Sequence, residues 1–182
     1  FLVFGFLCIE NQSLGNEMPN ISIKEVSAGE KKFIPLKGPW FFLWNEWTKP
    51  ESVKEIIKNQ NVIKTSLPFY WNSLGKKKAQ NDQFSSKGIA SLFTKITDVP
   101  KNKPLSLKLG KIKSSYTLYI IGPKGKVIKK FSRGKIAKDR SKSSPHEGGD
   151  LINFPTINAN YFFILIHVSN YRYFSGGIEE AP

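Results

Sequence analysis

The chain is built from short stretches in which apolar and polar residues alternate, or in which apolar residues run unbroken, separated by breaks rich in glycine, proline and lysine. Alternation with period two marks a strand with one face buried, and an unbroken apolar run marks a strand buried on both. Ile21 and Ile23 alternate with polar neighbours. Trp40-Phe-Phe-Leu-Trp44 follows the turn Lys37-Gly-Pro and predicts a strand covered on both faces. Residues 62–67, closed by Pro68, and residues 88–96 predict two more. Leu105, Leu107 and Leu109 alternate with Ser106 and Lys108, and residues 116–121 and 126–131 flank Gly122-Pro-Lys-Gly125, a hairpin turn. Residues 161–168 are the most apolar stretch and are expected at the centre of a sheet.

Only one segment has helical spacing. Thr48-Lys-Pro-Glu51 has the form of a capping box with proline in the first turn, and Val53, Ile56 and Ile57 follow at helical intervals. This predicts one short helix of about two or three turns over residues 50–58. The lack of other helices excludes Rossmann and barrel architectures, which need a helix between successive strands. About eight or nine strands with turn-rich connections predict an all-β jelly-roll sandwich. Residues 73–86 and 132–150 read as loops and residues 11–20 as a polar leader, with no internal repeat. The expected organisation is a signal remnant and leader over residues 1–20 and a single ligand-binding domain over residues 21–182.

Composition supports a folded chain: 40% of the 182 residues are hydrophobic and 14 are phenylalanine. The net charge of +14 is unevenly spread, because residues 101–142 hold 14 basic side chains and one acid, Asp139. Such a segment suits phosphates, anionic headgroups or an acidic partner. The plainer account is lysines on exposed strands and turns, where they guard against edge-to-edge pairing. Nucleic acid is not an expected partner, since the segment lacks the aromatic-interleaved RNA signatures and any helix-turn-helix pattern.

The first nine residues carry no polar side chain and include the single cysteine, Cys8. That run is too short for a bilayer, which needs about 20 residues, and fits the end of a secretory signal. An acylated Cys8 fits less well because Leu7 stands where a small residue is expected, and a buried N-terminal strand is the remaining alternative. The protein is therefore expected outside the cytoplasm, on the periplasmic side of the bacterial inner membrane or secreted. One cysteine excludes an intrachain disulfide and a four-cysteine zinc site.

Catalytic patterns are sparse. His167 and Ser169 share a strand face, but no acid lies near them in sequence to complete a triad. His146 lies beside Glu147 and Asp150 in a loop, a weak metal pattern, and no glycine-rich phosphate loop opens a helix. No cofactor, metal or catalytic residue is expected. Aromatic and amide side chains stand out instead: Trp40, Trp44, Trp47 and Trp71 lie close in sequence, with Asn45 and Asn72 directly after two of them. The chain then closes Val168-Ser-Asn-Tyr-Arg-Tyr-Phe-Ser-Gly-Gly-Ile178. Flat rings bury the apolar faces of sugars, while amides and guanidinium groups pair with hydroxyls and carboxylates. Trp71, Asn72, Asn170, Tyr171, Arg172 and Tyr173 are accordingly the candidate ligand-binding residues. The competing account makes Trp40 and Trp44 core residues and gives Asn170 with Gly176-Gly177 a turn-forming role.

Several segments, in order, carry a family resemblance. They are Leu36-Lys-Gly-Pro-Trp-Phe-Phe-Leu-Trp-Asn45, Pro50-Glu51, Leu67-Pro68, Trp71-Asn72, Gly88-Ile-Ala-Ser-Leu-Phe93, Leu105-Ser-Leu-Lys-Leu109, Ser115-Tyr-Thr-Leu-Tyr-Ile-Ile-Gly122, Val168-Ser-Asn170 and Ser175-Gly-Gly-Ile178. Together they resemble the N-terminal extracellular domain of bacterial seven-transmembrane receptors with diverse intracellular signalling modules. The resemblance implies a galactose-binding-type jelly roll, similar to the sugar-binding domain of some glycoside hydrolases. It further implies a carbohydrate or related small-molecule ligand, and a membrane-anchored receptor whose cyclase, kinase or phosphatase output lies outside this chain. Two departures are visible: Ile121 stands before Gly122 where the family carries asparagine, and the chain ends at Pro182 without transmembrane helices. A receptor fragment or a free-standing binding module both fit, and the oligomeric state stays open.

Overall fold

The computed structural model describes residues 17–24, 33–58, 61–74, 84–146, 148–180 and 182. The apolar start at residues 1–9 and the polar stretch at 11–16 lie outside the described residues, so the signal reading is neither met nor opposed by the fold.

Twelve strands are present among the described residues: β1 (Asn20–Ser22), β2 (Trp40–Trp44), β3 (Ile63–Thr65), β4 (Phe69–Tyr70), β5 (Gly88–Thr97), β6 (Leu105–Leu109), β7 (Ile112–Lys113), β8 (Ser115–Ile121), β9 (Val127–Arg133), β10 (Asp150–Phe154), β11 (Tyr161–Asn170) and β12 (Gly177–Ile178). The main sheet runs β3-β2-β5-β11-β8-β9, and β1 joins it beside β5 as a parallel strand, the one departure from antiparallel pairing. Two small sheets, β10-β6 and β4-β12-β7, supply the opposite layer. The result is the expected all-β jelly-roll sandwich. β11 lies between β5 and β8 and is buried along almost its whole length, as its apolar run predicts.

The two faces of the main sheet are covered differently. On one, Trp40, Phe42, Leu92, Leu118, Ile120, Ile164 and Ile166 form a single core with Leu107, Leu109, Ile112, Ile152, Phe154 and Ile178 of the opposite layer. On the other, Phe41, Leu43, Phe93, Phe163 and Leu165 pack beneath Val53 and Ile56 of the helix. β2, β5 and β11 therefore need apolar side chains on both faces. β6 and β10 have one solvated face and keep the alternation.

The short helix spans Pro50–Lys58 as predicted and is of the 3₁₀ type, and three other expectations are corrected. With three residues per turn, Pro50, Val53 and Ile56 lie on one line, and the latter two are buried against the sheet. The capping box does not form: Ser52 N–H donates to the Lys49 carbonyl, and the Thr48 hydroxyl is buried with no partner among the described residues. The 132–150 loop yields its last residue to β10, a strand the sequence hid because Leu151 faces solvent. The folded part also begins before residue 21, since Met18 packs on the helix side of the sheet and the Pro19 carbonyl accepts from Lys95 N–H.

Candidate functional site

Antiparallel register decides which loops meet. Asn170 pairs with Gly88, Ser169 with Ser115, and Tyr116 with Arg133. The start of β5, the start of β8, the end of β9 and the end of β11 therefore lie at one end of the sandwich. The loops there enclose a cleft of about 300 Å³ lined by Lys87, Ser114, Arg140, Ser143, Pro145, Tyr171 and Arg172.

The walls of the cleft are held by hydrogen bonds. The loop after β9 closes on itself through Lys135 and Ser144, whose backbones exchange bonds of 2.8 and 3.0 Å. Asp139 caps the short 3₁₀ turn Arg140–Lys142 by accepting from Ser141 N–H at 2.9 Å. Three serines fasten this loop to the sheet: Ser115 Oγ lies 2.8 Å from Ser169 Oγ, and Ser143 Oγ lies 3.4 and 3.3 Å from the two. His146 N–H donates to the Ser114 carbonyl, and the Tyr171 hydroxyl donates to the Lys138 carbonyl. Burial, with the Asp139 charge second, raises the Tyr171 pKa, so the phenol stays protonated and keeps that bond.

The six sequence-derived candidates divide. Tyr171 and Arg172 line the cleft. Asn72 lies half-buried in the 3₁₀ turn Trp71–Ser73, and Tyr173 lies half-buried with the Lys113 ammonium 5.5 Å from its ring. Two assignments are corrected. Trp71 is 0% exposed and has no face to offer a sugar. It packs among Phe42 and Trp44, donates its indole N–H to the Ser85 carbonyl, and floors the loop that ends at Gly176. A Cβ on Gly176 would stand 1.9 Å from the Trp71 ring, so only glycine fits there. Asn170 is also 0% exposed. Its amide nitrogen reaches the carbonyls of Ser86, Tyr173 and Ser175, and its oxygen accepts from Arg172 and Tyr173 N–H. It shapes the loop and does not face the cleft.

Lys87, Arg140, Ser143, Ser114 and Pro145 carry no signal in the sequence, because they come from three loops that only the strand register brings together. Phe174 has none either. At 94% exposure it is the freely accessible ring of the 170–175 loop, and an apolar residue in a loop does not stand out by pattern.

Catalytic geometry is not assembled from the residues that hinted at it. His167 and Ser169 share the helix-side face of the main sheet. However, His167 Nε2 donates to the Thr48 carbonyl at 2.8 Å, and its ring stacks on Trp47 at 5.9 Å. Asp150 is engaged by Arg133 at 2.7 Å and by the Tyr116 hydroxyl, so it is not placed to serve a site on His146. Among the described residues, no three histidine, cysteine, aspartate or glutamate side chains gather to hold a metal.

Burial pushes the His167 pKa down to about 4, with the Thr48 hydrogen bond opposing and the Lys130 charge adding. The unfolded chain binds this proton near pH 6.5 and the folded chain only near 4. The neutral form's contribution is therefore complete above 6.5 and is lost as pH falls through that window. The loss amounts to about 3 kcal/mol at most. In urea unfolding at pH 7, 5.5 and 4, the parent protein is expected to weaken by this amount more than His167→Gln. Parallel curves would show that the histidine does not stay neutral.

No protein-family model matches the chain, and no curated protein sequence matches it significantly. Solved structures do. The β-glucuronidase of Parabacteroides merdae matches over 79% of this chain and 20% of its own length, at 14% identity and a TM-score of 0.50. That of Ruminococcus gnavus matches over 75% of this chain and 21% of its own, at 17% identity and a TM-score of 0.46. This chain thus spans about a fifth of the length of these glycoside hydrolases. The likeness concerns the fold: it is a sandwich that occurs inside larger enzymes.

Proposed function

We propose that this chain is the extracytoplasmic ligand-binding domain of a bacterial membrane receptor, taking a carbohydrate-type ligand in the cleft at the loop end of the sandwich. The observation that carries the reading is the cleft itself. Loops from four strand ends converge on a rigid sheet and present a guanidinium pair, hydroxyls and an oriented tyrosine in a concave space. Its lining among the described residues has no carboxylate for acid–base chemistry, so the arrangement serves binding better than turnover. The ordered resemblance across the chain supports a receptor setting, in which the output domain belongs to another part of the polypeptide. No helix among the described residues is long and apolar enough to cross a membrane.

A second reading makes the chain a carbohydrate-binding module of a secreted glycoside hydrolase. It is favoured by the occurrence of this fold within a β-glucuronidase. The gene separates the two readings. Seven apolar stretches of about 20 residues following this domain support the receptor, and a hydrolase domain in their place overturns it.

Binding is tested by thermal shift with saccharides and small metabolites, because a ligand that binds only the folded state raises its melting temperature. At 100 times the dissociation constant the gain is about 2.7 kcal/mol, a shift of several degrees. Arg172→Ala and Arg140→Ala, both in the cleft lining, are expected to melt like the parent while losing that shift. A ligand whose shift survives both substitutions binds elsewhere, and the cleft is then not its site.

A further inference from the structure

The charge in the cleft is one-sided. Lys87, Arg140 and Arg172 all line it, and among the described residues no acid does. None of the three side chains makes an ion pair or hydrogen bond with a described residue; the bonds of Lys87 to Ser85 and of Arg172 to Asn170 run through the backbone N–H. Some cations elsewhere on this surface do have a carboxylate partner. Lys111 and Lys113 share Glu179 at 3.6 and 2.7 Å, and Arg133 is paired with Asp150. Asp139, the acid closest in sequence to the cleft residues, has turned its carboxylate oxygen to Ser141 N–H as a cap. Three like charges gathered on a concave wall repel one another, and the low-dielectric walls focus their field into the space between. An anion relieves that repulsion.

We propose that this cleft selects a saccharide bearing a carboxylate, held by Arg140 and Arg172 with Lys87 supplying a third positive charge. The proposal rests on the reading of the cleft as a ligand site and adds the chemistry of the ligand. A guanidinium fork meets a planar carboxylate with two parallel hydrogen bonds, which a lysine does not reproduce. The rest of the lining is suited to a sugar more than to a bare ion. The Tyr171 hydroxyl is fixed by its bond to Lys138, and its ring can stack on a sugar, while Pro145, Ser114 and Ser143 lie in the same lining.

The test uses the whole chain and isothermal titration with galacturonate, glucuronate and mannuronate trimers, their methyl esters, and inorganic phosphate and sulfate at matched ionic strength. At least one uronate trimer is expected to bind, with its methyl ester weaker by about tenfold or more. Arg172→Ala and Arg140→Ala are each expected to lower the affinity by a similar factor without moving the melting temperature. Arg172→Lys should recover part of it, and added salt should weaken the parent complex. Equal affinity for acid and ester overturns the carboxylate inference while leaving a sugar site in place. Phosphate or sulfate binding as tightly as the trimers overturns the saccharide. Absence of binding to any trimer or ester overturns this inference and the reading of the cleft beneath it.

Discussion

Trp71→Ala is expected to lower unfolding stability by about 4 kcal/mol, a large share of what holds a domain of this size together. The indole is fully buried between Phe42, at 6.3 Å, and Trp44, at 5.3 Å, and it carries the return of the chain through Gly176. Truncation removes a large apolar volume and leaves the Ser85 carbonyl without its indole partner. Trp71 N–H still donates to the Gly176 carbonyl at 2.9 Å, so the backbone is pinned across the resulting hole and collapses into it poorly. Urea unfolding should show a lower midpoint with an unchanged slope. A loss under about 1 kcal/mol, far below the usual cost for a buried aromatic, would mean that the indole does not floor the loop. The ligand-stacking role suggested by the Trp71-Asn72 pair would then return.

The strands were legible where burial leaves a period in the sequence. β2 shows it as an unbroken apolar run, β11 as a nearly unbroken one, β5 and β8 as mostly apolar stretches broken by serine, threonine or lysine, and β6 as alternation. β10 was not legible because Asp150 and Asn153 break the pattern and Leu151 is 68% exposed. β4, β7 and β12 have two residues each, too few for any period. The helix was placed to the residue, but its type turned on Val53 and Ile56 being three apart, a spacing that α and 3₁₀ helices both tolerate. The cleft was legible in its position and only partly in its lining. A loop following the most buried strand identified Tyr171 and Arg172. Whether a tryptophan is a platform or a floor depends on which side of it the chain returns, and Gly176 settles that only in three dimensions.

The basic segment divides in the same way. Lys129 and Lys130 lie on β9, the outer strand of the main sheet, where like charge discourages pairing with another chain. Lys111 and Lys113 are balanced by Glu179 across the small sheet. Arg140 belongs to neither group and turns into the cleft. One compositional feature thus has separate physical roles, and only the part that lines the cleft bears on the ligand reading.

Asn170→Ala is expected to cost about 3 kcal/mol and to abolish binding by loosening the loop, whereas Arg172→Ala should abolish binding alone. Asn170 replaces the sheet ladder at the point where β11 ends. Its amide nitrogen lies 2.9, 3.0 and 3.1 Å from the carbonyls of Ser86, Tyr173 and Ser175, and its oxygen lies 3.3 and 3.0 Å from the N–H groups of Arg172 and Tyr173. Removing one side chain therefore strands backbone groups on both the 84–87 and 170–175 segments, the two that carry Lys87 and Arg172 into the cleft. Each group left buried without a partner costs about 1–3 kcal/mol, less where water can reach it. Asn170→Asp separates the two halves of the role, because a carboxylate keeps both acceptor bonds and loses every donor bond. It should also be destabilised, since its charge would be buried against three carbonyl oxygens. Chemical unfolding and ligand titration of the three variants distinguish scaffold from contact. If Asn170→Ala keeps the parent's stability and loses only binding, the side chain meets the ligand directly. The Val168-Ser-Asn170 block would then be a recognition element, and not, as its hydrogen bonds indicate, the fastening that holds the loop in shape.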